Sequence, residues 1–385
     1  MQFFDYIAAE LGATGVALCA AAVVLFFVQL FYYFRYGRLV GYKLQRREPI
    51  REEEPPISLV VPLFSEDYGF MEDRLPLFLQ QEYPHFEVVV VYVGQNSDFH
   101  EELTRCRLHY PNLVISRLHH DPRYPISRKM ALNIGIKSAH CDCILFSSTE
   151  VVPSSPHWLS LMAKGFSRGD VVLGFCGLEE QKGLLNRMMR TARTMESADW
   201  ISRATMGRAH RGILHNFGFT KSLYFSPEVN GFNRLSMNIG EDDLFVQEIA
   251  RKHRVSVVLS PKASVEQKLW GGLSWWLSQC LYYGAARRYY PRGVRLSRMW
   301  ELLSRVLFFV AIVASIVLLP LYFKIAAGVL LLLRYLFVIW EVRRISRRLG
   351  EHGLVRCYYI YDLLSPFWSV LMSLMLLRRD DRVWR

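Results

Sequence analysis

The sequence predicts an α/β domain, a sheet with helices on both faces, set between an N-terminal membrane helix and a C-terminal membrane hairpin. Three observations predict it. Between about residues 55 and 260, short apolar runs alternate with stretches of helical periodicity. Residues 11–34 carry no charge over 24 positions. Residues 306–323 are a second uncharged stretch, 18 long, followed by an apolar run at 325–340 broken only by Arg334.

The first apolar run is long enough, at about 1.5 Å per residue, to cross a hydrocarbon core of about 30 Å. A cleaved signal peptide would have a basic start and a shorter apolar core, whereas this chain opens Met1-Gln2-Phe3-Phe4-Asp5. Arg35, Arg38, Lys43, Arg46 and Arg47 follow, which places that side in the cytoplasm by the positive-inside rule. Pro320 and Lys324 mark the turn of the hairpin. Arg287, Arg288, Arg292, Arg295 and Arg298 precede it, and Arg343, Arg344, Arg347 and Arg348 follow it, so both its ends face the same compartment. Residues 363–377 are apolar over only 15 positions, which suits an interfacial or re-entrant helix better than a further span. The expected division is an anchor and basic segment at 1–47, a cytoplasmic domain at 48–290, and the hairpin with an interfacial helix at 291–385.

Within the central domain, residues 57–62 read as a buried strand, 87–93 as a second, 113–118 as a third and 143–146 as a fourth. Helical patterns near 70–81, 98–109 and 127–139 lie between them. Such alternation implies a parallel sheet covered on both faces, with ligands bound at the carboxyl ends of its strands.

The formal net charge of +12 invites a nucleic-acid reading, but the charge is in the wrong place for one. Residues 48–286 hold 25 Lys+Arg and 27 Asp+Glu, leaving 22 Lys+Arg and 8 Asp+Glu in the flanks beside the apolar runs. That is the distribution of a membrane protein, so no nucleic-acid partner is expected. Hydrophobic residues at 51% exclude global disorder. The seven cysteines contain no CxxC pair and read as free thiols. His119, His120 and Asp121 have no further ligands at zinc-like spacing and read as loop residues. Met188, Met189 and Met195 read as packing residues of an amphipathic stretch at 182–204. Arg334 reads as facing the helix bundle or snorkelling to the interface. Three spans without a charged midplane cavity argue against a transporter.

The strand ends carry the chemistry. Ser65-Glu66-Asp67 follows the first, Gly94 to Asp98 the second, and Ser147-Ser148-Thr149-Glu150 the fourth, which is preceded by Ser127-Arg128-Lys129-Met130-Ala131-Leu132-Asn133. Further on come Gly240-Glu241-Asp242-Asp243-Leu244-Phe245 and Trp275-Trp276-Leu277-Ser278-Gln279. Taken as SRKMALNIGIKSAHCDCILFSSTEVVPSSPHWLSLM, ISLVVPLFSED and GFxxxxxxxGEDDLFVQ, these segments resemble, in order and spacing, the family-2 inverting glycosyltransferases of the GT-A fold. The resemblance covers roughly residues 55–290. It implies a nucleotide-binding mixed sheet, a UDP- or GDP-linked sugar donor, a membrane lipid or lipid-linked saccharide as acceptor, and an inner-membrane, multi-pass protein with its catalytic domain in the cytoplasm.

Glycosyl transfer needs positive charge for the departing diphosphate and a base for the acceptor hydroxyl. The resemblance assigns the base to Asp242, with Asp243 a rival because the spacing to Leu244 is one residue short, and Glu241 beside them. An acidic first turn of a helix would place the same residues there without chemistry. It assigns the nucleotide sugar to Pro62, Glu66, Tyr92, Asn96, Asp98, Arg128, Lys129 and Ser148. Tyr92 would stack on the base, and Arg128 and Lys129 would approach the diphosphate from a helix start. The acceptor falls to Trp276 and Gln279, although Trp and Tyr here equally suit a lipid interface. His210, Arg211 and His215 would form a basic loop closing over the nucleotide. The family's Asp-x-Asp metal position reads Ser148-Thr149-Glu150, which leaves Glu150 as the ligand for an expected Mg²⁺ or Mn²⁺. Its Arg-Trp pair after Gln279 reads Tyr282-Tyr283. These departures keep a second reading open, a catalytically silent relative that binds saccharide or acts as a membrane scaffold.

Overall fold

The computed structural model describes the chain except for residues 1, 52–53, 120–126, 230, 232–239, 251–252 and 378–385; the side chains of residues 2–10 and of Glu241 also fall outside the description. Expectations for His120, Asp121 and Phe232, and for the charged tail at 378–382, therefore lie outside the described residues.

The predicted strands form as β1 (Ile57–Leu63), β2 (Phe86–Val93), β3 (Leu113–Leu118) and β4 (Cys143–Phe146). They pair in parallel in the order β3-β2-β1-β4, with Val60 opposite Val89 on one side and Phe146 on the other. β1 is buried along its whole length, which is why it reads as an unbroken apolar run rather than an alternating one.

The sheet is mixed, as the resemblance implies, and not wholly parallel as the alternation alone implies. Beyond β5 (Val151–Pro153), β6 (Val171–Leu173) and β7 (Cys176–Leu178), the chain inserts β8 (Phe217–Thr220) antiparallel between β4 and β6, and β9 (Val255–Val257) closes the order as β3-β2-β1-β4-β8-β6-β9. β8 is only four residues long and carries one glycine, so it has no periodic signal. Its place is fixed by aromatic packing of Phe217 and Phe219 against Phe146, and by Gly218, where a Cβ would stand 2.6 Å from the Ile144 carbonyl oxygen. β10 (Val265–Gln267) joins β5 and β7 in a second, small sheet.

The helices of the domain are α2 (Leu75–Leu79), α3 (Ser97–Arg105), α4 (Arg128–Ser138), α5 (Trp158–Phe166), α6 (Leu184–Thr205), α7 (Lys221–Tyr224), α8 (Glu241–Ile249) and α9 (Leu273–Ala285). Among the described residues, four helices are long and apolar enough to cross a membrane. The first is α1 (Gln2–Gly41), which bends at Gly12 (φ 64°) and meets the criterion over Leu11–Gly41. The others are α10 (Arg292–Leu318), α11 (Leu321–Leu349) and α12 (Val355–Leu377). The last one is longer than its uncharged run of 15 residues: α12 has 23 residues. Asp362 cut the apolar run in the sequence, and in the structure it is fully buried and paired.

Its partner is Arg334, which is also fully buried rather than snorkelling. The guanidinium donates to both Asp362 oxygens, at 2.6 and 3.1 Å, and to Gln29 Oε1 at 3.1 Å. Tyr33 and Tyr358 donate to the same carboxylate at 3.2 and 3.3 Å. Gln29 reaches Ser304 at 2.7 Å, and Arg305 lies 3.5 Å from Asp362 and pairs with Glu301. One polar cluster thus joins α1, α10, α11 and α12.

α6 attaches the domain to this bundle through ions. Asp199 receives Arg35 of α1 at 2.6 Å and Arg203 at 3.0 Å. Glu196 receives Arg211 at 2.7 Å, Arg287 at 2.6 Å and Arg298 of α10 at 3.4 Å. Burial alone would raise the Glu196 carboxyl, but these guanidiniums outweigh it and hold it well below the usual carboxylate range. Arg190 pairs with Glu351, in the turn between α11 and α12, at 2.7 Å. Met189 and Met195 are buried packing residues, as expected.

Candidate active site

The parallel strands β1, β2 and β4 end side by side, and the loops that follow them form one edge of the site. Asp67, after β1, accepts the Phe70 backbone N–H at 2.8 Å and both bonds of a fork from Arg74 Nη2, at 2.7 and 2.8 Å. Arg74 Nη1 donates to the Thr149 carbonyl at 2.6 Å, and the guanidinium lies 5.4 Å from the centre of the Trp270 ring. This buried arginine, which sequence reasoning passed over, ties the loop after β1 to the turn after β4. Arg74→Ala is expected to lower stability by about 1.5–3 kcal/mol, the usual worth of hydrogen bonds to a charged group, and to raise KM more than it lowers kcat. A thermal midpoint measured beside a Michaelis analysis checks both.

Three predicted nucleotide-site residues have other duties. Pro62 is buried within β1, in register with Val91, and shapes the strand end. Tyr92 is fully buried against Phe99, 5.2 Å between ring centres, so its ring is not open for stacking; its hydroxyl donates to the exposed Glu66 at 3.4 Å. Asn96 caps α3, its side chain accepting the N–H groups of Asp98 and Phe99 at 3.0 and 3.1 Å. Asp98 is exposed in the first turn of that helix. Glu66 and Asp98 remain the carboxylates available at this edge.

On the other side, Ser127 caps α4 by accepting the Met130 N–H. Arg128 leaves the helix start to donate to the Tyr282 hydroxyl at 2.8 Å, which joins α4 to α9. Lys129 turns inward and, with Asn133 and Tyr224, lines a cavity of about 380 Å³.

At the end of β4, Ser148 is buried, and its hydroxyl is 2.9 Å from His215 Nδ1. His215 Nε2 is 3.2 Å from the Tyr283 hydroxyl. A hydroxyl, an imidazole and a phenol therefore run in a line from β4 to α9. Burial, followed by the charges of Arg128 and Arg193, pushes the imidazole well below its ordinary pKa, so His215 is neutral and one ring nitrogen donates while the other accepts. The expected closing loop is absent: His210, Arg211 and His215 are 1%, 2% and 5% exposed and form a packed wall. His215 lies 67 residues from Ser148, and no local pattern announces the pair.

Glu150 is half-buried, and one of its oxygens accepts the Gln267 amide at 2.9 Å. Gln267 in turn accepts from Arg193 Nη2 at 3.2 Å. The Arg193 guanidinium lies 5.8 Å from the Trp276 ring centre and 5.2 Å from that of Tyr283. Trp276, read earlier as touching the acceptor, is 7% exposed and packs with Leu178 and Met189. Gln279 is half-buried on α9. Among the described residues, no three His, Cys, Asp or Glu side chains gather into a set able to hold a metal ion. The expected cation thus finds one partly engaged carboxylate, Glu150, beside a hydroxyl already given to His215, and these two do not make a metal site of their own.

The two aspartates at the start of α8 part company. Asp242 accepts the Leu214 N–H at 3.1 Å, next to His215, and its charge bears on the Tyr283 phenol. Asp243 turns the other way, accepts the Tyr290 hydroxyl and lies 3.6 Å from Arg211. Burial pushes the Asp243 carboxyl up to about 8, against Arg211 and with help from the neighbouring charge of Asp242. A carboxyl that holds its proton more tightly folded than unfolded loses stability as pH rises between its two values, from 3.8 to about 8. Asp243→Asn is expected to flatten the decline in thermal midpoint across that window. An unchanged slope would show that the carboxyl titrates normally.

The family model described as Glycosyl transferase family 21 matches residues 15–368. No curated protein matches the sequence. Among solved structures, a mannosyltransferase from Pyrobaculum calidifontis in complex with GDP-Man and Mn²⁺ is similar, with a TM-score of 0.53 and 16% identity, covering 91% of this chain and 99% of its own. Glucosyl-3-phosphoglycerate synthase from Mycobacterium tuberculosis, with Mn²⁺, UDP and phosphoglyceric acid, has a TM-score of 0.40 and 15% identity over 61% of this chain and 78% of its own. TarS from S. aureus has a TM-score of 0.39 and 14% identity over 80% of this chain and 91% of its own. These last two are too distant to add to the argument.

Proposed function

The chain belongs to glycosyl transferase family 21, and we propose that it is a membrane-anchored inverting transferase, moving a sugar from a cytosolic UDP- or GDP-linked donor to a lipid or lipid-linked saccharide at the membrane surface. The observation that carries this reading is Asp242: a buried carboxylate at a helix start, oriented by the Leu214 N–H, beside the Ser148–His215–Tyr283 line that closes the strand ends. The acceptor hydroxyl gives its proton to Asp242, its oxygen bonds the anomeric carbon, and the bond from that carbon to the diphosphate breaks with its electron pair leaving on phosphate. Glu66 and Asp98 are the groups at hand for ribose or base, and Arg128 and Lys129 for the phosphates. Glu241 stands in the same first turn as Asp242.

The membrane-proximal acceptor rests on α9, whose Trp276 packs in one cluster with Trp368 of α12. The arginines flanking the apolar helices favour a cytoplasmic position for the domain, at an inner membrane. The Mn²⁺ of the Pyrobaculum enzyme's complex makes a divalent cation the natural comparison, but Glu150 is the one carboxylate of this turn to receive it.

A silent, saccharide-binding relative remains the second reading, because Ser148 is engaged where the resemblance places an acid. Purified full-length protein in detergent, assayed with a panel of UDP- and GDP-sugars and membrane lipid extract, separates the two. Transfer to lipid supports the enzyme, saturable nucleotide binding without turnover supports the silent relative, and no nucleotide binding sinks the transferase reading.

A further inference from the structure

The turn after β4 is short of anionic ligands and well supplied with cationic ones. The Ser148 hydroxyl is engaged with His215, and one Glu150 oxygen takes the Gln267 amide. Arg193, by contrast, is 3% exposed and makes no ion pair among the described residues. Its Nη2 serves Gln267, while its Nη1 is buried without a hydrogen-bond partner. A buried charged donor left unmatched is costly and calls for an acceptor. The side chain is held in place for one: Trp276 and Tyr283 present their rings to it, and the Gln267 amide fixes its plane. Arg128 is a second guanidinium in this region: it donates to Tyr282, the neighbour of the Tyr283 ring that faces Arg193.

Resting on the transferase reading above, we infer that this site meets the departing diphosphate with guanidinium groups in place of an acid-held divalent cation, Arg193 Nη1 being the principal donor. As the bond between the anomeric carbon and the phosphate oxygen breaks, the electron pair collects on that oxygen. The planar fork of an arginine matches phosphate oxygens and carries its charge at every working pH. The Ser148–His215–Tyr283 line adds no negative charge there, where a metal site would need carboxylates. Glu150 keeps a positioning task, orienting Gln267 and through it Arg193.

The test uses full-length protein in detergent and calorimetric affinities for UDP and GDP, with UMP and GMP as controls, in Mn²⁺ and in EDTA. Wild type, Arg193→Gln, Arg193→Lys and Glu150→Gln are compared, with Mn²⁺ binding followed by electron paramagnetic resonance. The inference expects EDTA to change diphosphate affinity by less than about threefold and Arg193→Gln to weaken it by about tenfold or more. Arg193→Lys should weaken it less, and the monophosphates should barely respond. Diphosphate binding that vanishes in EDTA and returns with Mn²⁺, together with a bound Mn²⁺ signal lost in Glu150→Gln, overturns the inference and leaves the transferase standing. No binding of either diphosphate in any condition overturns both. If Arg193→Gln does not fold, the wild-type EDTA comparison and the lysine variant still decide.

Discussion

Asp242→Asn is expected to lower the rate of sugar transfer by about 10²–10⁴-fold, the usual contribution of a positioned general base, with little change in thermal midpoint. The amide keeps an oxygen for the Leu214 N–H, so the wall that carries His215 stays in place, while the group proposed to take the acceptor proton is gone. Asp243 is the internal control. Its carboxyl faces Tyr290 and Arg211, and its expected signature is a change in the pH dependence of stability. A variant at Asp243 that abolishes transfer while Asp242→Asn retains it would reverse the assignment. Equal activity in wild type and Asp242→Asn would remove the base from this helix altogether.

Asp362→Leu is expected to cost about 3–5 kcal/mol, the range for removing one partner of a buried pair and leaving the other charged and alone. Arg334 would then lie fully buried among α1, α10, α11 and α12 with only the Gln29 oxygen left from its three acceptor contacts. Tyr33 and Tyr358 would lose the same carboxylate. Replacing Asp362 and Arg334 together by leucine should recover much of the loss, because apolar side chains of similar volume are often neutral at such sites. Unfolding midpoints in detergent for the two single variants and the double variant test this. A double variant as unstable as the worse single one would show that the pair does not account for the effect.

The central strands were legible because a strand buried on both faces leaves a continuous apolar run, and β1, β2 and β4 are of that kind. β8 was not legible, since four residues with a glycine have no period, and its antiparallel insertion depends on aromatic partners distant in sequence. The length of α12 is not legible because a charge inside an apolar run looks like an end when its partner, Arg334, is 28 residues away. At the candidate site, the motif at 240–247 could locate both aspartates but not separate them. What separates them is what each side chain touches, Leu214 for one and Tyr290 for the other. Tyr92 and Asn96 read as ligand contacts because strand-end polar residues often are, yet local demands, a buried ring and a helix cap, claim both. Arg193 is not legible as a site residue, and His215 is legible only as part of a basic loop, because their places are set by contacts with Gln267 and Ser148 from separate parts of the chain.

The ionic attachment of α6 fixes a length as well as an orientation. Asp199 is held by Arg35 at the end of one apolar helix, Glu196 by Arg298 at the start of another, and Arg190 by Glu351 in the turn between two more. Three struts tie one helix to the ends of the apolar bundle nearest the domain. Under the proposed function they set the stand-off between the strand ends and the lipid headgroups, so that an acceptor whose reactive hydroxyl rises by that distance meets the donor. One with a shorter or longer stem would miss it, and the proposed transferase would select its acceptor as a depth gauge does.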